Sequence, residues 1–411
     1  MPWDFYQSPS EPRRVRLAPA VGGQRVFASQ TARRGWGHKT IQSDAALPEQ
    51  ARADCAARRV HFTEPNAFFA TVRARVDEHF AGANRRDDPR LYRKAAIIGL
   101  WFTGSYALLL TTESAFLRAL LCVSFAFSAG ALGFNVFHDA VHGSFSSSRR
   151  TNLLLSHLTC AVLGTGRYFW WYKHNVLHHH YTNIFEWDDD IETRGSLRLS
   201  PRQPWQPKFR HQHVWFGFAY SLATIEWLFI KDFVQYFSLR MNSYQAIPGM
   251  SSGEKWEFWS AKAFYLALFV GLPFALFPAG QVVIGLLIFH VILSLVLTLV
   301  FNLAHAIEKA EFPAPCSGTF CINDEWAAHQ LRTTVNFATS NHVLNWFSGG
   351  LNFQIEHHLF PQISHTHYPA ISAIVRRTAQ EHGLPYNLYE TYRETVVSHF
   401  RTLRTLAAKP V

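Results

Sequence analysis

The sequence that decides the fold is the histidine-rich stretch His174-Asn-Val-Leu-His-His-His180. It contains four imidazole rings within seven residues, which is more than a hydrophobic core or a solvated helix face needs. In an α-helix, His174 and His178 project from one face because they are four residues apart, and His179 lies about 100° further round. This pattern predicts a helix that presents histidines to two metal ions lying side by side.

Other histidines recur at similar spacing, and each group lies beside an apolar segment. His138 and His142 are four residues apart, His357 and His358 are adjacent, and His305 ends a long apolar run. Neutral imidazole binds zinc, copper, iron or nickel, so the residue type alone does not choose the metal. These eight candidate ligands are too many for one tetrahedral zinc and suit two metals of coordination number five or six.

The composition favours a membrane protein. Among 411 residues, 15% are aromatic and only 17% are charged, against roughly 25% charged in typical soluble domains. A net charge of +10 suits a nucleic acid or an anionic membrane surface. No nucleic-acid motif occurs, so no nucleic-acid partner is expected. The cysteines form no dense framework, and we expect Cys316 and Cys321 to be free thiols.

The chain divides into an N-terminal segment and a membrane domain. Residues 1–62, rich in Arg, Gln, Ser, Pro and Ala, are expected to be mobile and cytosolic, without a cleaved signal peptide. Residues 63–411 are expected to start with an amphipathic helix over 64–80, capped by Thr63. Four membrane spans in two hairpins are predicted over about 94–110, 116–137, 263–278 and 282–304. A cytosolic cap would comprise 138–262 and 305–411.

Two further apolar segments, 213–237 and 152–164, are assigned to the membrane interface. The first carries three charged residues, and a crossing there would put His305 on the opposite side of the membrane from His138. The second is too short to cross. The turns between paired spans hold no Lys or Arg, with Arg118 just inside the second span. The positive-inside rule therefore predicts that both termini and every histidine cluster are cytosolic.

Acidic side chains near the histidines are candidates to accept the free ring N–H of a ligand. They are Asp139, Asp188, Asp189, Asp190 and Glu356. The aspartate run also suits a solvated loop. His329 is a further candidate for a contact with a ligand or the substrate, with packing inside the cap as the alternative.

The histidine motifs resemble the three histidine boxes of the integral-membrane fatty acid desaturases. The boxes are His138-Asp-Ala-Val-His142, His174-Asn-Val-Leu-His178-His179 and Gln354-Ile-Glu-His357-His358. The third box, followed by Leu-Phe-Pro, resembles the front-end and linoleoyl-CoA desaturase branch. Asn302-Leu-Ala-His305 is similar to the extra ligand segment after the last span. The resemblance covers roughly residues 60–400 and indicates a non-haem di-iron membrane enzyme.

This resemblance implies an all-α integral membrane fold. Four transmembrane helices in two hairpins and several interfacial helices would carry a cytosolic helical cap that holds two iron ions above an acyl tunnel. The implied iron ligands are His138, His142, His174, His178, His179, His305, His357 and His358. Gln354 stands where related enzymes have a ninth histidine, and it could bind iron directly or through water. Asn302 is a candidate to hold a bridging water, and the role of His180 is open.

The remaining histidines are expected to serve the structure. We expect His365 and His367 to organise the chain after the third box rather than to bind iron. His157 and His342 are also interpreted as structural. His290 lies too deep in the fourth span to reach the same metals, and a buried hydrogen bond is expected for it.

The implied activity is O2-dependent desaturation of a fatty acyl chain. An unactivated methylene offers no acidic proton and no leaving group, so a metal-bound oxidant must break its C–H bond. The sequence lacks a Gly-x-Gly-x-x-Gly motif and a His-Pro-Gly-Gly haem segment, so electrons are expected from a separate ferredoxin or small cytochrome with its reductase.

The substrate carrier and the reaction outcome are left open by the motifs. The acyl group could be linked to CoA, a carrier protein or a lipid, and membrane lipids are expected partners. A hydroxylase, acetylenase or ketolase on the same scaffold is the alternative function. A metal transporter is disfavoured because the candidate ligands lie at helix ends rather than near the bilayer midplane.

Overall fold

The computed structural model describes residues 60–63, 67–316 and 320–410. All but the last three residues of the segment 1–62 therefore lie outside the described part, and its predicted mobility stays a prediction. The helix predicted over 64–80 is described from Ala67 to His79. Cys316 and Cys321 are free thiols, as predicted.

The histidine-rich stretch divides the secondary-structure elements along the chain. Before it lie β1 (His61–Phe62), α1 (Ala67–His79), α2 (Pro89–Thr111), α3 (Ala115–His142), α4 (Arg149–Leu163) and α5 (Arg167–Trp171). The stretch itself forms a π-helical turn (Tyr172–His178) and α6 (His179–Tyr181). After it come a 3-10 turn (Pro207–His211), α7 (Gln212–Ser221), α8 (Ala223–Glu226), a second π-helical turn (Trp227–Lys231), α9 (Asp232–Ser238), α10 (Ser252–Leu276) and α11 (Ala279–His305). The C-terminal elements are β2 (Cys321–Ile322), α12 (Trp326–Thr333), β3 (Asn336–Phe337), α13 (His342–Phe347), α14 (Gln354–Leu359), a 3-10 turn (His365–His367), α15 (Tyr368–Glu381), β4 (Leu388–Tyr389) and α16 (Tyr392–Ala407).

The described residues are mostly helical, and the predicted all-α fold is interrupted by two short pairs of β-strands. β1 pairs with β2 and β3 with β4, each as two parallel residues. Because β1 begins at His61, the last residues of the predicted N-terminal segment contact the C-terminal half of the chain.

Four helices are long and apolar enough to cross a membrane. They are α2, α3, α10 and α11, with 23, 28, 25 and 27 residues. At 1.5 Å per residue, even the shortest is about 34 Å long, which exceeds the roughly 30 Å hydrocarbon core of a bilayer. The predicted spans fall within these helices, except that α10 ends two residues before the predicted end of 263–278.

The helices are longer than the predicted spans because polar caps extend them beyond the apolar residues. Pro89 begins α2, and the Asp88 carboxylate accepts a hydrogen bond from the Arg90 N–H at 2.8 Å. A capping box between Ser251 and Glu254 begins α10 eleven residues before the predicted span.

Aromatic side chains form the core between the four long helices. The Phe125 ring of α3 lies 4.7 Å from the Phe102 ring of α2 and 4.9 Å from the Phe289 ring of α11, between centroids. The Phe269 ring of α10 lies 5.7 Å away on another side. One ring thus connects all four helices, and such aromatic pairs each contribute about 0.5–1.5 kcal/mol beyond the area that they bury.

The apolar segment 213–237 does not form one long helix. It is divided between α7, α8 and α9, with an interruption at Leu222. Its charges are not all exposed: the buried Asp232 carboxylate lies 2.8 Å from the buried Lys262 ammonium of α10, whereas the Glu226 side chain is 39% exposed. Asp232 also accepts the Gly166 N–H at 2.9 Å, which fixes the chain just before α5.

Candidate metal centre

All eight predicted ligand histidines are buried and come together in one cluster. The first group has candidate ligand atoms that all lie within 4.8 Å of one another, and it contains His138, His142, His174 and His357. A second group that meets the same criterion contains His178, His305 and His358, and an overlapping third group contains His174, His178 and Asp190. Four separate parts of the chain therefore meet at this point.

His179 lies between the first two groups. The centroid of its ring is 4.6 Å from that of His357 and 4.4 Å from that of His358, which belong to different groups. It is also 4.7 Å from the His142 ring. Its position allows contact with an ion in either group.

A π-helical turn gives the second histidine box its geometry. Tyr172–His178 has i to i+5 hydrogen bonding, so the turn holds more residues than an α-helical turn. As a result, His174 faces the residue five positions later, with Nε2 atoms of His174 and His179 3.2 Å apart. We predicted from α-helical geometry that His174 and His178 would project from one face and that His179 would be directed to a second point beside the first. In the structure, His174 belongs to the first group and His178 to the second, and both also belong to the third group.

The first box is held at the end of α3. A further π-helical turn, Gly133–Phe137, directly precedes His138, and the helix ends at Gly143 with φ of 70°. Gly349 packs on this turn so closely that a Cβ atom would lie 2.6 Å from the Phe134 carbonyl oxygen. The tight packing fixes α3, and His138 Nε2 lies 3.2 Å from His174 Nε2.

The cluster contains buried ring nitrogens that have no hydrogen-bond partner within the described residues. They include both nitrogens of His142, Nδ1 of His179, and Nε2 of His357 and His358. A buried polar atom without a partner costs free energy. Their convergence fits a bound cation, because imidazole lone pairs on several sides would then be used.

Burial keeps most of these imidazoles neutral, which is the form that binds metal. Burial lowers the pKa of His174 to about 3 and the pKa values of His179, His357 and His358 well below the usual range. His178 differs. Burial lowers its pKa, but the neighbouring aspartates outweigh this effect and the net pKa is raised.

The aspartate run divides into separate roles. The Asp188 carboxylate accepts a hydrogen bond from His178 Nδ1 at 3.0 Å, and Asp190 approaches the same nitrogen at 3.3 Å. We predicted a similar contact for Asp189. Its carboxylate instead lies 2.8 Å from the Lys231 ammonium, because the side chain points away from the histidines.

The other predicted acceptors are also arranged differently from the prediction. Asp139 Oδ2 accepts from His365 Nδ1 at 2.8 Å, whereas Asp139 Oδ1 is 3.7 Å from His138 Nδ1, beyond a normal hydrogen bond. Glu356 is buried but contacts no histidine. It accepts hydrogen bonds from Asn336 Nδ2 at 2.7 Å and from Tyr386 OH at 2.8 Å.

His329, Gln354 and Asn302 lie near the cluster in sequence or space. The buried His329 ring packs against Phe62 at 5.0 Å, which agrees with the alternative of packing inside the cap. Gln354 is buried at the first residue of α14, the helix that carries the third box. Asn302 is half-buried, and its amide donates to the Thr298 carbonyl oxygen at 2.9 Å.

The histidines outside the cluster take structural positions. His290 forms the expected buried hydrogen bonds, to Thr224 Oγ1 at 3.0 Å and Tyr265 OH at 3.2 Å. His180 is half-buried and packs against Tyr181, with centroids 5.7 Å apart. Four further histidines that the sequence analysis interpreted as structural also lie outside the cluster, and they are His157, His342, His365 and His367.

Several neighbours of the histidines did not follow from the motifs. The Gln330 side chain oxygen lies 2.8 Å from His358 Nδ1, and Tyr368 OH lies 3.2 Å from His357 Nδ1. The Trp170 ring stacks near His174 with centroids 4.5 Å apart. Gln330 and Tyr368 lie within residues 60–400, the part of the chain that resembles the desaturases. That resemblance is the only signal of their role that the sequence carried.

Four apolar helices and a buried cluster of eight histidines are the features of a membrane metalloprotein. The family model for fatty acid desaturases matches residues 114–390. The chain is 37% identical to the sn-1 linoleoyl-lipid 6-desaturase of Synechocystis sp., over 85% of this chain and 98% of that protein. It is 34% identical to the protein of the same name from Arthrospira platensis, over 86% of this chain and 96% of that protein.

A more distant relative is the acyl-lipid (8-3)-desaturase of Mortierella alpina. It is 29% identical, over 85% of this chain and 80% of that protein. The chain therefore belongs to the fatty acid desaturase family, and the predicted resemblance is confirmed. It is an oxidoreductase that acts on fatty acyl chains.

Proposed function

We propose that this desaturase uses two iron ions bound by the eight buried histidines. The observation that carries the proposal is the convergence of these imidazoles into two main groups, with His179 between them. Neither a thiolate nor a carboxylate dominates the donor set, which suits iron in an oxygen-dependent site. When bound, the two irons would supply the power to oxidise an unactivated C–H bond with O2 and two external electrons.

The chain's own residues would fix the ligands in orientation. Asp188 holds Nδ1 of His178, so that Nε2 of this ring is directed to the metal. Gln330 and Tyr368 contact Nδ1 of His358 and His357 in the same manner. A ligand whose ring cannot rotate binds metal with less loss of side-chain entropy.

The packing around the cluster would exclude water from the site. All eight histidines are buried, and Trp170 covers the first group with its indole ring 4.5 Å from His174. A dry site prevents water from competing with the acyl chain for the oxidant. In this proposal Gln354 and Asn302 complete the coordination, directly or through water.

We also propose a membrane arrangement with two helical hairpins, α2 with α3 and α10 with α11. Because α3 ends at His142 and α11 ends at His305, the cluster would lie at one face of the bilayer, which the positive-inside rule makes cytosolic. Labelling of single cysteines tests this. Glu113→Cys should react from outside the cell, and Arg202→Cys should not. The reverse pattern would contradict the topology.

The substrate would be an acyl chain linked to a membrane lipid, with the double bond near the carboxyl end. Support comes from the names of relatives, which describe linoleoyl-lipid and acyl-lipid desaturases. An external carrier such as a ferredoxin or a small cytochrome would deliver the electrons.

The test is to express the chain in a host that lacks this activity and to locate new double bonds by gas chromatography–mass spectrometry of each lipid class. We expect a new double bond near the carboxyl end and about two irons per chain by elemental mass spectrometry. Hydroxylated, acetylenic or keto products would instead support the alternative oxygenase. A single zinc without iron would refute the proposed metal centre.

A further inference from the structure

A polar pocket of about 290 Å³ lies beside the first two turns of α2. Arg93 and Lys94 of α2 line it together with His342 and Asn345 of α13 and with Thr366. None of the described residues that line it is acidic. The pocket therefore presents positive charge and hydrogen-bond donors to whatever it contains.

Two of the cations at this pocket are not neutralised by a carboxylate that touches them. Arg90 is paired with Asp88, with Nη2 2.6 Å from Oδ2. Arg93 is exposed and forms no ion pair with any residue that the structure describes. Lys94 is only 7% exposed, and its Nζ lies 3.0 Å from His365 Nε2. The Asp139 carboxylate acts on the Lys94 charge only through space, from the far side of His365, so the ammonium has no anion in direct contact among the described residues.

The pocket lies where polar and apolar surfaces meet. One turn after Arg93, Ile97 is 48% exposed, and Leu100 further along α2 is 73% exposed. Both belong to a helix that is apolar enough to cross a membrane. Basic residues at such a boundary lie at the depth of lipid headgroups, where they attract anionic groups.

The pocket shares a wall with the histidine cluster. His365 uses Nε2 to contact Lys94 and Nδ1 to donate to Asp139 at 2.8 Å, and Asp139 is the neighbour of His138 in the first box. A group bound in the pocket is thus separated from the cluster by His365 and Asp139.

We infer that this pocket binds the phosphate of an anionic membrane lipid that carries the acyl substrate. The inference rests on the proposed function, and it names the carrier. Phosphate oxygens accept from the guanidinium of Arg93 and the ammonium of Lys94, with the Asn345 amide as a further donor. The Thr366 hydroxyl is not available, because it donates to Asp88 Oδ2 at 2.7 Å. The phosphate charge compensates Lys94, which no carboxylate touches.

Binding of a defined lipid to the full-length, iron-loaded protein tests this inference. The protein in neutral detergent is titrated with 1-palmitoyl-2-oleoyl-phosphatidylglycerol or with the phosphatidylcholine of the same acyl chains. Arg93→Gln removes an exposed cation and should not disturb folding. The matched control is Arg150→Gln, an exposed cation in the first turn of α4. Lys94→Gln is avoided because the side chain is buried.

We expect Arg93→Gln to weaken binding of phosphatidylglycerol about fivefold, the loss that one basic residue near a membrane surface carries. Arg150→Gln should bind like the wild type, and phosphatidylcholine should not distinguish the three proteins. Equal losses in both variants would mean general charge attraction and would overturn the inference. Binding of inorganic phosphate that depends on Arg93, without preference for phosphatidylglycerol, would identify a free anion and overturn the lipid assignment.

The outcome is separable from that of the proposed function because desaturation is measured in parallel. A wild type that desaturates lipids but binds phosphatidylglycerol independently of Arg93 refutes only the pocket. A protein with Arg93-dependent binding of phosphatidylglycerol and new double bonds only in other lipid classes keeps the proposed function and overturns the assignment of the carrier.

Discussion

Substitution of Asp188 by asparagine removes the carboxylate that holds His178. Asp188 accepts from His178 Nδ1 at 3.0 Å and also from the Asn183 N–H at 2.8 Å. An asparagine side chain has one oxygen, so its NH2 group must face one of these two donors. The His178 ring would be held less firmly, with Asp190 as the remaining carboxylate beside Nδ1, so its Nε2 would be less well directed at a metal.

Loss of such a contact typically reduces metal affinity or activity about 10- to 100-fold. We expect the lower part of that range for Asp188→Asn, because Asp190 Oδ2 lies 3.3 Å from the same nitrogen and remains as an acceptor. The assay is iron content by elemental mass spectrometry during titration with a chelator, with desaturation product measured on the same samples. The pKa of His178 should also fall, because Asp188 helps to raise it.

Asp189→Asn is the matched control, because the two neighbours have the same chemistry and are equally buried. Asp189 contacts Lys231 at 2.8 Å and no ligand histidine. This variant should lose stability yet keep iron affinity within about twofold of the wild type, since the metal ligands retain their partners. Equal iron loss in both variants would refute the assignment of Asp188, because a general disturbance of the loop would then explain the effect.

Further predictions concern other sites. His179→Ala should lose desaturation and most of one iron, whereas His180→Ala should keep both irons and lose at most about 10- to 100-fold in activity. Iron content by elemental analysis and the yield of desaturated product test this, and equal iron loss in both variants would contradict the packing of His180 outside the cluster. Lys262→Met should destabilise the fold by about 3–5 kcal/mol, because it leaves a buried carboxylate unpaired; an unchanged melting temperature would contradict this. Burial lowers the pKa of His399 to about 4, so the folded state keeps it neutral. Its contribution is therefore present above pH 6.5 and lost as pH falls towards 4, by at most about 3 kcal/mol. His399→Gln should flatten the fall in melting temperature over this range, and identical slopes would rule out this origin.

The sequence predicted the membership of the histidine cluster better than its internal geometry. Spacing and adjacent apolar runs were enough to identify all eight histidines. The π-helical turn over Tyr172–His178 could not be predicted, because i to i+5 bonding depends on how the turn packs rather than on residue type. That turn brings His174 opposite His179, five residues later, with Nε2 atoms 3.2 Å apart.

Partners of the histidines were predictable only when the contact was local. Asp188 lies ten residues from His178, and a common loop brings them together. Asp189 follows Asp188, and Glu356 precedes the ligand candidate His357. Neighbouring side chains point in different directions, so Asp189 contacts Lys231 and Glu356 contacts Asn336 instead of a ligand histidine. The contact of His358 with Gln330 depends on how two segments pack in three dimensions, and the sequence alone does not show which of their residues meet.

The ends of the long helices were underestimated for a similar reason. Hydropathy marks where apolar residues stop, whereas a helix stops where its backbone groups find other partners. Ser251 and Glu254 satisfy these groups well before the apolar part of α10 begins. For α10, the apolar part is therefore shorter than the helix that contains it.

The eight histidines come from parts of the chain as distant as residues 138 and 358. An ion bound by His178, His305 and His358 would close one loop of 127 residues and one of 53, in the way that a covalent cross-link does. Metal supply would then govern not only turnover but the survival of the folded chain, since free metal at a hundredfold excess over its dissociation constant adds about 2.7 kcal/mol of stability. Under iron starvation, the amount of this protein should fall before its lipids change, through proteolysis of chains that lack the ion.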